Sequence, residues 1–229
     1  MFRFKLELVR FGAQPNNTAM APLSDSSRSS SPTPPRRHLV CFSDGSTASM
    51  SAASVIYEPD PGVRAGKRNK LDEMRCVLRN VVPNTAGAME LAGIALSLTM
   101  CANYASAFQL SGSSRHDAGM SITCFCDNKP IVECLLLEGL AVHRGARHLN
   151  GLVTFVRAHV NALRLDGHEV FIRWCDRRRL GLRRSDHVAR CGIGSVESPW
   201  PNGLTELLWD SNQTFFEATE PQRDVMRRY

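Results

Sequence analysis

The order of its apolar runs limits most strongly how this chain can fold, because short runs ending at turn signals alternate with longer runs at helical spacing. His38-Leu-Val-Cys-Phe-Ser43 stops at Asp44-Gly45-Ser46 and reads as a buried strand ended by a turn. Ser54 to Tyr57 reads as its antiparallel hairpin partner. After a polar insertion from Asp60 to Lys70, Cys76 to Val82 offers a third strand, with a helix over Leu71 to Arg79 as the competing reading. Thr85 can cap a helix from Gly87 to Ala107, with Leu91, Ile94, Ala95 and Leu98 on one face, and the Ser111 to Gly119 loop closes it. Met120 to Cys126 is strand-like and ends in Asp127, and Pro130 suits the start of a helix continuing to Leu140. Leu152 to Leu165 has helical spacing, Glu169 to Cys175 reads as a strand, and the charged run Asp176 to Arg184 leads into a short helix, Ser185 to Arg190. A hairpin followed by alternating helices and strands fits an α/β domain, a mixed sheet with helices on its faces.

Composition sets the limits of that domain. With 229 residues, 43% hydrophobic and 22% charged, the chain can bury one ordinary core and carry appendages. Residues 1–37 are Ser/Pro-rich and end in Pro-Pro-Arg-Arg, so they are expected to be a disordered tail or linker; their Arg and Ser content also suits a mitochondrial presequence. The folded domain is expected over residues 38–191. Residues 192–229 are left as an extension without an assigned role, with one short helix at Leu204 to Trp209. A formal charge of +6 favours polyanionic partners. No apolar run of ~18 residues is evident, so no membrane association is expected. Eight scattered cysteines without a C-x-x-C pair suggest reduced thiols in the nucleus or cytoplasm and no zinc site.

The chemical content lies in four acids. Asp44 and Asp127 each follow an apolar strand, and if those strands are parallel neighbours their side chains converge beyond the strand ends. Glu90 sits at the margin of the buried helix face, and Asp186 is expected at the start of the last short helix. Taken singly, the acids have ordinary explanations as a turn, a helix cap or a first-turn charge. Together they form an oxygen-rich set suited to two divalent cations and phosphodiester hydrolysis.

These residues resemble the type 1 ribonuclease H domains of cellular enzymes and retroelement polyproteins. The resemblance rests on Cys41-Phe-Ser-Asp-Gly-Ser46, Ala88-Met-Glu-Leu-Ala-Gly-Ile-Ala-Leu96, Thr123-Cys-Phe-Cys-Asp-Asn128, and Ile172-Arg-Trp-Cys175 followed by Ser185-Asp-His-Val-Ala189. It implies a ribonuclease H-like fold, a five-stranded mixed sheet of three antiparallel strands with parallel additions, flanked by helices. It further implies Asp44, Glu90, Asp127 and Asp186 as catalytic metal ligands, Mg2+ (two ions) or Mn2+ as cofactor, and RNA–DNA hybrid as substrate. Arg177, Arg178, Arg179, Arg183, Arg184 and Asn128 are candidate nucleic-acid contacts, and His143, Arg144, Arg147 and His148 form a second basic loop.

The chain departs from the family in two places. The loop before Asp186 lacks the family's Gly-His pair, with His187 the nearest histidine, so slower turnover is expected. Ala86 and Gly87 stand where bacterial relatives carry asparagines that contact RNA, with Asn84 close by. A proofreading exonuclease is disfavoured because Ser46 replaces its second acid, and an integrase because Ala162 replaces its final Glu. A catalytically weakened nucleic-acid-binding or scaffolding module is the competing reading. Trp174 is expected in the core because it falls in a strand.

Overall fold

The computed structural model describes residues 36–59, 68–77, 85–110, 119–136, 144–192, 196–197, 199–211 and 213. The expected tail before Arg36, most of the insertion after Pro59, Asn84, His143 and most of the loop after Leu110 lie outside the described residues. The elements run β1 (His38–Ser46), β2 (Ser51–Pro59), β3 (Arg68–Val77), α1 (Ala86–Leu110), β4 (Ser121–Cys126), α2 (Lys129–Leu136), a 3-10 turn (Arg144–Leu149), α3 (Asn150–Leu165), β5 (Glu169–Trp174), α4 (Leu180–Cys191) and a two-residue β6 (Val196–Glu197).

The sheet order is β5-β4-β1-β2-β3-β6. β1, β2 and β3 pair antiparallel, whereas β4 lies parallel to β1 and β5 parallel to β4. This is the expected mixed sheet of three antiparallel strands and two parallel additions, extended at the far edge by β6 parallel to β3.

Several element limits differ from expectation. β1 does not stop at Asp44: its ladder with β2 continues through Asp44–Ala53 and Gly45–Ala52 to Ser46–Ser51. Asp44 thus sits inside a strand, paired with Ala53 of β2, instead of in a turn. The third strand is Arg68–Val77, taking in the end of the polar insertion; a strand so rich in charge is stabilised by its cross-strand partners, which local composition does not reveal. α4 begins at Leu180, so Asp186 lies in mid-helix.

Alternation along β1 assigns a helix to each face of the sheet. Leu39 and Cys41 join the main core with Leu91, Ile94 and Leu98 of α1, while Val40 and Phe42 pack with Leu182 of α4. α1 begins where expected, with Thr85 Oγ1 accepting the Ala88 N–H at 3.3 Å. It packs between the sheet and α3, and this is why it is apolar nearly all round. Contrary to the sequence expectation, Ala86–Phe108 is long and apolar enough to cross a membrane by length and composition, but 61% of its most apolar window is buried inside the protein.

Described residues after α4 pack on the same core. Residues 204–211 are helical, and Leu204 and Leu208 are fully buried in the main core with Trp200 and Leu207 packed against it. Gly192 adopts a left-handed conformation (φ 65°) at the end of α4, and its N–H donates to Val188 C=O at 2.9 Å. The Ala189 carbonyl accepts from Ser49 Oγ (2.8 Å), Ser51 Oγ and Arg75 Nε (3.1 Å). These bonds tie the end of α4 to β2 and β3, and so fix the helix that carries Asp186.

Candidate active site

The site forms where two parallel strands part company. Phe42 pairs with Phe125 at the last β1–β4 rung, and Asp44 and Asp127 each lie two residues further on. Beyond that rung β1 continues beside β2 while β4 turns into α2, so the two acids stand at a notch outside the carboxyl ends of adjacent strands.

α1 delivers Glu90 to this notch through contact at glycine. A Cβ on Gly45 would stand 2.3 Å from the Met89 carbonyl carbon and 2.6 Å from Glu90 N, and one on Gly93 would stand 2.9 Å from the Asp44 carbonyl oxygen. Strand and helix backbones therefore touch with no side chain between them, and Glu90 reaches Asp44 from the opposite face of the sheet to α4. Asp186 approaches from α4, so elements on both faces converge on Asp44.

The electrostatics are strained. Asp44 is 3% exposed and both of its carboxylate oxygens are buried without a hydrogen-bond partner. Burial first, and then the neighbouring carboxylates of Asp186 and Asp127, push Asp44 up to about 7. Glu90 is 6% exposed, and burial followed by the charges of Asp44 and Asp127 pushes it up to about 9. Buried acceptors that face only other acceptors lack the donor that normally compensates desolvation. A divalent cation is the group such a donor set fits, since carboxylate oxygen is the preferred ligand of hard ions.

Two arginines partly neutralise the outer acids. Arg177 Nε lies 2.9 Å from Asp127 Oδ2 and its Nη2 3.8 Å from Asp186 Oδ1, while Arg190 Nε lies 2.8 Å from Asp186 Oδ1. The Arg177 side chain is 62% exposed, so these are surface pairs of modest strength.

Cys126, missed by sequence reasoning, lies beside Glu90. Its buried thiol donates to Glu90 Oε2 at 3.5 Å, and the ligand atoms of Glu90, Cys126 and Asp127 all lie within 4.8 Å of one another. Its place immediately before Asp127 was the only available signal.

The expected nucleic-acid contacts separate into two groups. Arg177, Arg178, Arg179 and Arg183 are exposed around the start of α4, where Asp176 shapes the turn by accepting the Arg178 N–H at 2.8 Å. Asn128 Oδ1 instead caps α2 by accepting the Ile131 N–H at 3.3 Å. Arg184 holds Glu73 of β3, with Nε 2.8 Å from Oε2, and Lys70 Nζ lies 3.2 Å from the same oxygen. His148 is tied to Thr85 at the start of α1 at 3.3 Å, and His187 is exposed on α4 beside Asp186.

Contrary to expectation, Trp174 is not a core residue. It is 49% exposed, and its indole Nε1–H donates to the Asp127 carbonyl at 2.9 Å, tying the end of β5 to the acid that follows β4.

The Arg184–Glu73 pair has a measurable consequence. Glu73 is buried, and its hydrogen bond from Arg184 outweighs burial to hold its carboxyl below the usual range. Arg184→Ala is expected to cost roughly 2 kcal/mol in urea unfolding, because Lys70 remains to share the stranded charge. A lowered folded pKa means that this stability is present above the usual glutamate range and is lost as pH falls through the folded value. The variant's stability should therefore fall less steeply in acid than that of the wild type.

This sheet order, with Asp44 and Asp127 just beyond the last rung between two parallel strands, is the arrangement that the ribonuclease H resemblance implies. No protein-family model matches the chain, and no curated protein matches it. Among solved structures it is similar to a ribonuclease H1 from the halophilic archaeon Halobacterium salinarum (12% identity, TM-score 0.42, covering 66% of this chain and 96% of that one). It is also similar to the N-terminal RNase H domain of a Mycobacterium tuberculosis protein solved as a maltose-binding-protein fusion (14%, TM-score 0.41, 67% and 99%). A third similarity is to a ribonuclease H1 isolated from compost by a metagenomic approach (16%, TM-score 0.37, 66% and 91%).

Proposed function

We propose that this protein is a metal-dependent endoribonuclease that hydrolyses the RNA strand of RNA–DNA hybrids. The observation that carries the reading is Asp44: a carboxylate with two buried, unpartnered oxygens, set among Glu90, Asp127 and Asp186. Asp44, Glu90, Asp127 and Asp186 would hold two magnesium ions, with manganese as the alternative. When bound, such ions supply an activated water and stabilise the leaving oxygen. The chain's own residues do the rest. Near neutral pH Glu90 keeps its proton until a cation arrives while Asp44 is only partly protonated, the exposed Arg178, Arg179 and Arg183 draw the phosphate backbone towards the notch, and Arg177 shields Asp127 and Asp186 from each other.

A second reading, a nucleic-acid-binding or scaffolding module, has one observation behind it: Arg177 and Arg190 already neutralise two of the acids. They leave Asp44 without a donor, which favours the hydrolytic reading. A labelled hybrid incubated with magnesium separates the two. The wild type should cleave the RNA strand, and Asp127→Asn should be slower by about a hundredfold or more. No magnesium-dependent cleavage by the wild type, together with tight hybrid binding, would leave only the binding module. In either case, Arg178→Ala should lower the slope of log affinity against log salt by about one phosphate contact.

A further inference from the structure

We infer that Cys126 adds a soft ligand to this hard carboxylate cluster, so that Cys126, Glu90 and Asp127 form a binding site for a thiophilic divalent cation of the zinc class. The sulfur already stands at coordination spacing. A tetrahedral ion held by sulfur at about 2.3 Å and oxygen at about 2.0 Å separates those ligands by about 3.5 Å. Cys126 Sγ and Glu90 Oε2 are 3.5 Å apart, and the third ligand atom, from Asp127, lies within 4.8 Å of both. The Asn128 N–H donates to the same sulfur at 3.4 Å, as outer-shell donors do for a coordinated thiolate.

Asp44 supplies an independent sign that a cation belongs here. It is 3% exposed, its oxygens have no hydrogen-bond partner, and they face Glu90 and Asp186. Those oxygens favour any divalent ion, whereas the sulfur discriminates, because thiolates select zinc and its heavier relatives over magnesium. Binding would release the thiol proton and the proton that Glu90 retains: the thiol, the carboxylic acid and the free dication give a metal-bound thiolate and carboxylate and two H+. Asp127, 15% exposed at its side chain and paired only with the exposed Arg177 among the described contacts, offers the way in.

Such an ion takes Glu90 and Asp127 away from the magnesium site, and would act as a competing inhibitor of cleavage. That consequence rests on the nuclease reading; the binding itself does not.

The test uses the full chain without nucleic acid, titrated with Cd2+ and followed by its thiolate-to-metal charge-transfer absorption. Wild type should develop the band, Cys126→Ser should lose it, and Cys191→Ser, which removes the exposed thiol on α4, should keep it. Glu90→Gln should weaken Cd2+ affinity about tenfold or more. A band that persists in Cys126→Ser, or one that vanishes in Cys191→Ser, overturns the proposal. If Cys126→Ser does not give a folded circular-dichroism spectrum, Glu90→Gln decides: unchanged affinity overturns the proposal and a tenfold loss supports it. The band is read in the absence of hybrid, so its failure is distinct from a failure of the nuclease reading.

Discussion

Asp44→Asn should raise the melting temperature of the metal-free protein at pH 8 by on the order of 5 °C while lowering magnesium-dependent cleavage about a thousandfold or more. The opposite signs have one cause. Asp44 and Glu90 are pushed up from ordinary carboxylate values to about 7 and about 9, by burial first and by neighbouring carboxylates second, Asp186 for Asp44 and Asp44 for Glu90. Both bind protons more tightly in the folded chain than in the unfolded one. Their contribution to stability is therefore fully present below pH about 4 and is lost as pH rises through the folded values. The wild type should melt at steadily lower temperature from mildly acid to alkaline pH, and an added divalent cation should reverse the trend. Asparagine removes one repelled charge and supplies an amide donor to its neighbours. Calorimetry at pH 5 and pH 8, with and without magnesium, checks this. An Asp44→Asn variant that melts below the wild type at pH 8 would show that the cluster carries no electrostatic strain.

Gly45→Ala has the second largest expected effect. One methyl group would land 2.3 Å from the Met89 carbonyl carbon and 2.4 Å from its oxygen, both backbone atoms of α1. Backbone cannot step aside as a side-chain tip can, so α1 must shift from β1 and carry Glu90 away from Asp44. The expected cost is about 3 kcal/mol or more, with loss of cleavage beyond that explained by the unfolded fraction. Gly87→Ala is the control. Its added methyl would meet only side-chain tips, Leu149 Cδ1 at 3.0 Å and Ile131 Cδ1 at 3.3 Å, and alanine is a better helix former than glycine, so its stability should stay within about 1 kcal/mol of wild type. Urea denaturation of both variants measures the contrast; similar losses would refute the argument from close backbone approach.

The arrangement around Gly45 also shows where sequence reading stops. The Asp44-Gly45 pair after an apolar run looks like a turn, because glycine is the usual turn residue. In the structure its role is to lack a side chain, inside a strand, beneath a helix. β3 was displaced for a related reason: Arg68 to Val77 carries five charged residues in no sustained period-2 pattern and so has no strand signature of its own, and its conformation comes from its neighbour β2.

The sequence by itself determined the order of strands and helices apart from β3 and the segment after α4, the long apolar helix and the expectation of four acids, because periodicity and the carboxylates that follow apolar runs are local properties of the chain. Only the tertiary structure decided how the charged and polar residues divide their work. It committed Arg184 to Glu73, set Asn128 as a helix cap, put Trp174 at the surface against Asp127 and placed Cys126 beside Glu90. These roles depend on partners from other elements of the fold, and local periodicity carries no record of which residues will meet.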